Sequence, residues 1–140
     1  MTTTTVLEST ERLRRLALMM IGSLLIEFLL GMANTFWLET PESGSGWSDS
    51  KPMWLLTLHI VWGVAILVLA IWIFVIARRL KSASWFRLNL VGILGIIVAI
   101  GAGSSFMGDV SSDALSMVMS VGWAVALGAY AVGLFKTDAA

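Results

Sequence analysis

Four long apolar stretches, parted by short polar ones, leave this chain very few structures to choose from. They run Leu16–Leu38, Met53–Ala77, Leu88–Met107 and Ala114–Phe135, with lengths of 23, 25, 20 and 22 residues. An α-helix rises about 1.5 Å per residue, so about 20 residues cross the ~30 Å hydrocarbon layer of a bilayer. Lipid offers no partner to an unpaired backbone amide, so a spanning segment must be a helix or part of a closed barrel. Barrel strands alternate polar and apolar residues, and these stretches do not. The pattern predicts an all-α integral membrane protein, a bundle of four transmembrane helices forming one domain over residues 1–140.

Composition agrees. Of 140 residues 58% are hydrophobic and 13% charged, whereas a soluble domain is about a quarter charged. The chain has no cysteine, which excludes disulfides, thiolate metal sites and cysteine nucleophiles. Its net charge is zero and no basic tract points to nucleic acid. The polar start, MTTTTVLEST, leads through ERLRR into an apolar run too long for the core of a cleaved signal peptide. A retained signal-anchor helix is expected.

The charges are sorted along the chain. Arg12, Arg14 and Arg15 precede the first span, Arg78, Arg79, Lys81 and Arg87 lie between the second and third, and Lys136 follows the fourth. Eight of the nine basic residues thus fall on one side, with Lys51 opposite. Short loops rich in Lys and Arg stay in the cytoplasm, so both termini are expected there, in a multi-pass protein of the cell membrane. The outer side then carries Glu39, Glu42, Asp49, Asp109 and Asp113. Trp37, Trp54 and Trp85 fall at span ends, where aromatic belts form. Three connectors follow: a Gly/Ser/Pro-rich outer loop over 39–52, a basic loop over 78–87, and a short turn over 108–113 that Ser112 is placed to cap.

Membrane helices associate by close backbone approach and polar contact, because lipid is as apolar as leucine. Gly95, Ala99 and Gly103 recur every four residues in the third span. Ser116, Ser120, Ala124 and Gly128 do so in the fourth. These stripes predict a tight antiparallel hairpin of helices three and four, and the bland reading, ordinary packing, outweighs the alternative of a homo-oligomer seam.

Glu27 stands out. It has eleven residues of its apolar run on either side, and a charge at the centre of a span costs about 3 kcal/mol or more. That cost is relieved if the carboxyl carries its proton or faces a polar partner. Ser23, Glu27, Gly31 and Asn34 share one side of the helix. His59, the single histidine, is expected roughly 9 Å below the outer end of its span, Asn34 roughly 6 Å, and Glu27 about 7 Å deeper than His59. With Ser116 and Ser120 in the outer half, these residues predict a polar pocket for a proton or a small ligand, ending near Glu27. A lone intramembrane histidine is more often a helix-to-helix hydrogen-bond partner than a ligand to metal or haem, whereas a midplane carboxylate is expensive enough to favour function.

No catalytic set emerges: no serine–histidine–acid group with workable geometry and no glycine-rich phosphate loop after a strand. In layout the chain resembles the small multidrug resistance transporters, four-helix proteins with an essential glutamate in the first helix. That resemblance implies a proton-coupled transporter of a small cationic or polar solute, with Glu27 its one shared residue. A second reading is an accessory or assembly subunit of a larger membrane complex, docking through Glu27, His59 and the small-residue faces. A third starts from LHIVWG in the second span, which looks like the histidine-bearing helices of b-type cytochromes and haem A synthases and implies haem on His59. Apart from that haem, no cofactor or metal is expected.

Overall fold

The computed structural model describes residues 3–37, 39, 51–108 and 112–138. They form four helices, α1 Thr3–Trp37, α2 Met53–Arg79, α3 Ala83–Gly108 and α4 Asp113–Asp138. Each contains a segment long and apolar enough to cross a bilayer, which in α1 is Glu11–Trp37. The principal interfaces run α1–α2, α2–α3, α3–α4 and α4–α1, closing a ring of four helices. Most of the expected outer loop and turn, with Glu42, Asp49 and Asp109, lies outside the described residues.

The helices outrun the apolar stretches that predicted them. α1 begins at Thr3, within the polar start, and the expected basic loop is helical except at Leu80, Lys81 and Ser82. A backbone leaving hydrocarbon keeps its internal hydrogen bonds until water can replace them, so polar residues at an interface do not by themselves end a helix. Arg78 and Arg79 in the last turn of α2 also favour the negative end of its dipole. The connection to α3 is therefore tight. Lys81 takes a left-handed backbone with φ 54°. The amides of Leu80 and Ser82 donate to the Ile76 and Ala77 carbonyls at 2.9 and 3.2 Å. At the other end Glu39 and Lys51 exchange two backbone hydrogen bonds, 2.8 and 3.1 Å, and clasp the neck of the loop between α1 and α2. Ser112 precedes α4 and its carbonyl accepts from the Leu115 amide at 3.0 Å.

α3 and α4 make the most extensive interface, and glycine makes it possible. A β-carbon on Gly95 would stand 2.6 Å from the Gly122 carbonyl oxygen, and one on Gly122 would stand 2.6 Å from the Gly95 oxygen. The two backbones touch with no side chain between them. Gly103 meets Met119, Gly92 meets the Tyr130 ring and Gly133 meets the Trp85 ring. Positions rise on one helix as they fall on the other, so the two run antiparallel. The third-span stripe of Gly95, Ala99 and Gly103 thus faces α4. On α4 the packed positions are Met119, Gly122, Ala126 and Tyr130, while Ser116, Ser120, Ala124 and Gly128 are exposed. The reason is rotational: the stripe at Ser116 and Gly128 is offset by two residues, about 200° around a helix, from the one at Gly122 and Ala126. Trp85 also departs from expectation, buried against Gly133 and not at the interface, whereas Trp37 and Trp54 are exposed at helix ends.

A contiguous apolar core fills the end of the bundle near the α2–α3 connection. It takes Leu13, Ala17, Met20 and Leu24 from α1, Ile66, Ala70, Ile73, Ile76 and Ala77 from α2, Trp85 and Ile96 from α3, and Ala126 and Tyr130 from α4. Inside it, Tyr130 donates its hydroxyl to Asn89 Oδ1, and Asn89 Nδ2 donates to the Ala70 carbonyl at 3.0 Å. Both side chains are sealed from solvent. A buried amide must find partners, and here they come from α2 and α4, so one residue joins three helices.

Candidate functional site

The polar face of α1 meets α2, and the contact is reciprocal. His59 Nδ1 lies 3.3 Å from Glu27 Oε1. The Glu27 carboxyl rests on Gly63, where a β-carbon would stand 3.0 Å from Oε1. The His59 ring rests on Gly31, where a β-carbon would stand 3.5 Å from Cε1. Glu27 and Gly31 are one turn apart, as are His59 and Gly63, so each polar side chain lies over the glycine one turn from the other. Antiparallel helices with these two spacings place both groups between the backbones.

The pair is close but not fully bonded. The alignment of Nδ1 with Oε1 falls outside hydrogen-bond geometry, and Glu27 Oε2 and His59 Nδ1 are both buried without a hydrogen-bond partner. The side chains retain only 17% and 21% of their exposure. One turn beyond His59 towards the Trp37 end, Asn34 Nδ2 donates to the Leu30 carbonyl at 2.9 Å, leaving Oδ1 buried and unpaired. Three unsatisfied polar atoms therefore lie along one seam.

Two tryptophans hold α1 in this orientation. Trp62 Nε1, from α2, donates to the Ser23 carbonyl at 3.1 Å, and Trp123 Nε1, from α4, donates to the Leu24 carbonyl at 2.8 Å. The Trp123 ring also lies 4.9 Å, centroid to centroid, from Phe28. Neither tryptophan is among the residues that the sequence pattern assigns to the pocket. An indole N–H in a membrane span needs an acceptor, and that requirement was the available signal.

The remaining expected residues are placed as follows. Ser23 is half-buried beside the pair and takes part through its carbonyl. Ser116 and Ser120 are exposed on α4, and Ser120 Oγ donates to the Ser116 carbonyl of its own helix at 2.9 Å. For haem, a porphyrin approaching His59 over Gly63 would need the space beside that glycine, and the Glu27 carboxyl fills it. Among the described residues no three histidine or acidic side chains cluster as a metal site. Asn89 and Tyr130 were missed, although the rule that singles out Glu27, a polar group inside a span, applies to Asn89 as well.

Chemically, a carboxyl and an imidazole that share one proton are neutral overall whether the proton sits on oxygen or on nitrogen. Transfer within the pair, once Nδ1 turns into line with Oε1, would leave the net charge buried in the membrane unchanged. Departure of the proton leaves a net negative charge with two glycine-floored surfaces around it. No protein-family model, no curated protein and no solved structure matches this chain.

Proposed function

We propose that this protein couples proton release and uptake at the Glu27–His59 pair to the movement of a small cationic or polar solute across the membrane. The single observation that carries the reading is the 3.3 Å approach of His59 to Glu27 with Glu27 Oε2 and Asn34 Oδ1 left as unpaired acceptors. Acceptors without donors suit a ligand that brings donors, such as a small ammonium or guanidinium ion. A midplane acid costs too much to be kept for packing that an apolar residue would do better. Eight of nine basic residues on one side support an orientation with both termini cytoplasmic, and the Gly95–Gly122 contact supports α3 and α4 inserting as a hairpin.

The test is flux in proteoliposomes carrying a trapped pH-sensitive dye, with guanidinium and methylguanidinium as probes. An outward proton gradient should drive probe uptake, and Glu27→Gln, which keeps shape but cannot ionise, should abolish the proton dependence. Wild-type proton flux in Glu27→Gln would overturn the reading.

The open face of α1 favours a second one, an accessory subunit of a larger complex. Leu18, Met19, Leu25 and Leu29 are 46–66% exposed, a surface that a partner helix could cover as well as lipid. In that case Glu27→Gln alters recovery of the complex from membranes and no flux is seen in the protein alone.

A further inference from the structure

The seam that holds Glu27 is built differently on its two sides. Towards the arginine-rich end, α1 presents Leu24, Met20, Ala17 and Leu13 in turn, each at most 4% exposed, and all belong to the contiguous core. The Trp62 and Trp123 hydrogen bonds close the gap at Ser23 and Leu24. Nothing in that half of the seam would gain from water. Towards the Trp37 end no α1 residue from Leu25 to Trp37 is fully buried. The residues buried there on other helices, Leu55, Leu56, Ala102 and Met107, stand outside the contiguous core. Here, too, lie the unpaired atoms, His59 Nδ1 and Asn34 Oδ1 beyond Glu27 Oε2.

We infer that in this arrangement of the helices the seam between α1 and α2 parts to admit water from the Trp37 and Lys51 end as far as Glu27 and no further, so that the acid exchanges its proton with that side until a second arrangement opens the core half. All three unpaired atoms are shut from solvent in the packed state. Closing the seam therefore leaves each without a partner, an unfavourable arrangement that water relieves. Gly63 supplies the looseness: with no side chain there, α1 and α2 can separate slightly without dragging neighbours, whereas a β-carbon at Gly31 would make only ordinary contact with His59 at 3.5 Å. The core half has no such reward and stays shut in this arrangement. The inference deepens the proton-coupled reading by giving its site a direction, and it rests on that reading for its purpose, though not for its geometry.

The chain has no cysteine, so one introduced thiol reports alone. Gly31→Cys, Met32→Cys and Ala70→Cys are prepared singly in the full-length protein in liposomes and treated, without solute or proton gradient, with a charged, membrane-impermeant methanethiosulfonate on either side. Residues 31 and 32 share a depth, but Met32 is exposed on the outer surface of the bundle while Ala70 is in the core. Thiolate forms only in water, so Gly31→Cys should label at least tenfold faster than Met32→Cys, from the Trp37 side alone, and Ala70→Cys should not label from either side. Equal rates at 31 and 32, labelling of 31 from the arginine-rich side, or rapid labelling of 70 would each overturn it. If Gly31→Cys does not fold, Asn34→Cys against Phe36→Cys makes the same comparison one turn higher. Labelling is independent of flux, so the expected pattern with unchanged flux in Glu27→Gln sinks the transport reading and leaves the one-sided water path standing.

Discussion

Glu27 lies against the bare backbone of Gly63, with Oε1 3.0 Å from the point a β-carbon there would occupy. That distance is shorter than ordinary carbon–oxygen contact, so any side chain at 63 displaces the carboxyl. Gly63→Ala should shift it by a few tenths of an ångström. Gly63→Val should push it away from His59 and cut proton flux by roughly tenfold to a hundredfold, the order of loss when a reacting group moves by about 1 Å. Gly31→Ala, whose β-carbon would stand 3.5 Å from His59, is the matched control and should keep near-normal flux in the same proteoliposome assay.

Backbone contact at Gly95 and Gly122 makes a second contrast. Gly122→Ala places a methyl 2.6 Å from the Gly95 carbonyl oxygen and should destabilise the bundle by about 1–3 kcal/mol, the usual cost of overpacking. Gly128→Ala meets nothing within 4 Å and should be neutral or add about 0.5–1 kcal/mol through helix propensity. Equilibrium unfolding in mixed micelles with increasing denaturing detergent separates the two.

The amide between α2 and α4 gives a third. Tyr130→Phe removes the donor to Asn89 Oδ1 and should cost about 1 kcal/mol, a typical loss for one interhelical hydrogen bond. Asn89→Leu also strands the Tyr130 hydroxyl. A double-mutant cycle for the two should show coupling of about 1 kcal/mol in the same unfolding measurement; strict additivity would rule out the bond as a contributor.

Ser116 and Ser120 are expected to matter little, singly or together. Both are exposed, and the one side-chain bond described between them returns to their own helix. The double alanine variant should change stability by no more than about 0.5 kcal/mol and leave flux unaltered. Loss of flux in that variant would mean that the transport path runs along α4.

The helices were legible because hydrocarbon thickness sets a length and an unsatisfied backbone forbids alternatives. Their ends were not, since nothing in the sequence tells a helix crossing an interface where to stop; Thr3 and Arg79 both lie past the apolar limits. The direct contact between Glu27 and His59 was not legible either: depth along the spans put Glu27 about 7 Å below His59, whereas the bare backbones of Gly31 and Gly63 let the two side chains meet at 3.3 Å. Rotation was the weak link. Small residues occur on two faces of α4, and only the facing helix selects Gly122 and Ala126 over Ala124 and Gly128. Asn89 was overlooked because it sits near a span end, where a polar residue is cheap if it reaches water, and the sequence does not reveal that it turns inward.

The grip of Trp62 and Trp123 on neighbouring carbonyls has a consequence for α1 as a mechanical part. The two indoles pull from different helices, so any spin of α1 about its long axis must break at least one of them. The bearing of the acid is thus fixed one turn away from the acid itself. Swapping either indole for phenylalanine would free that rotation without touching a single atom of the carboxyl or the imidazole.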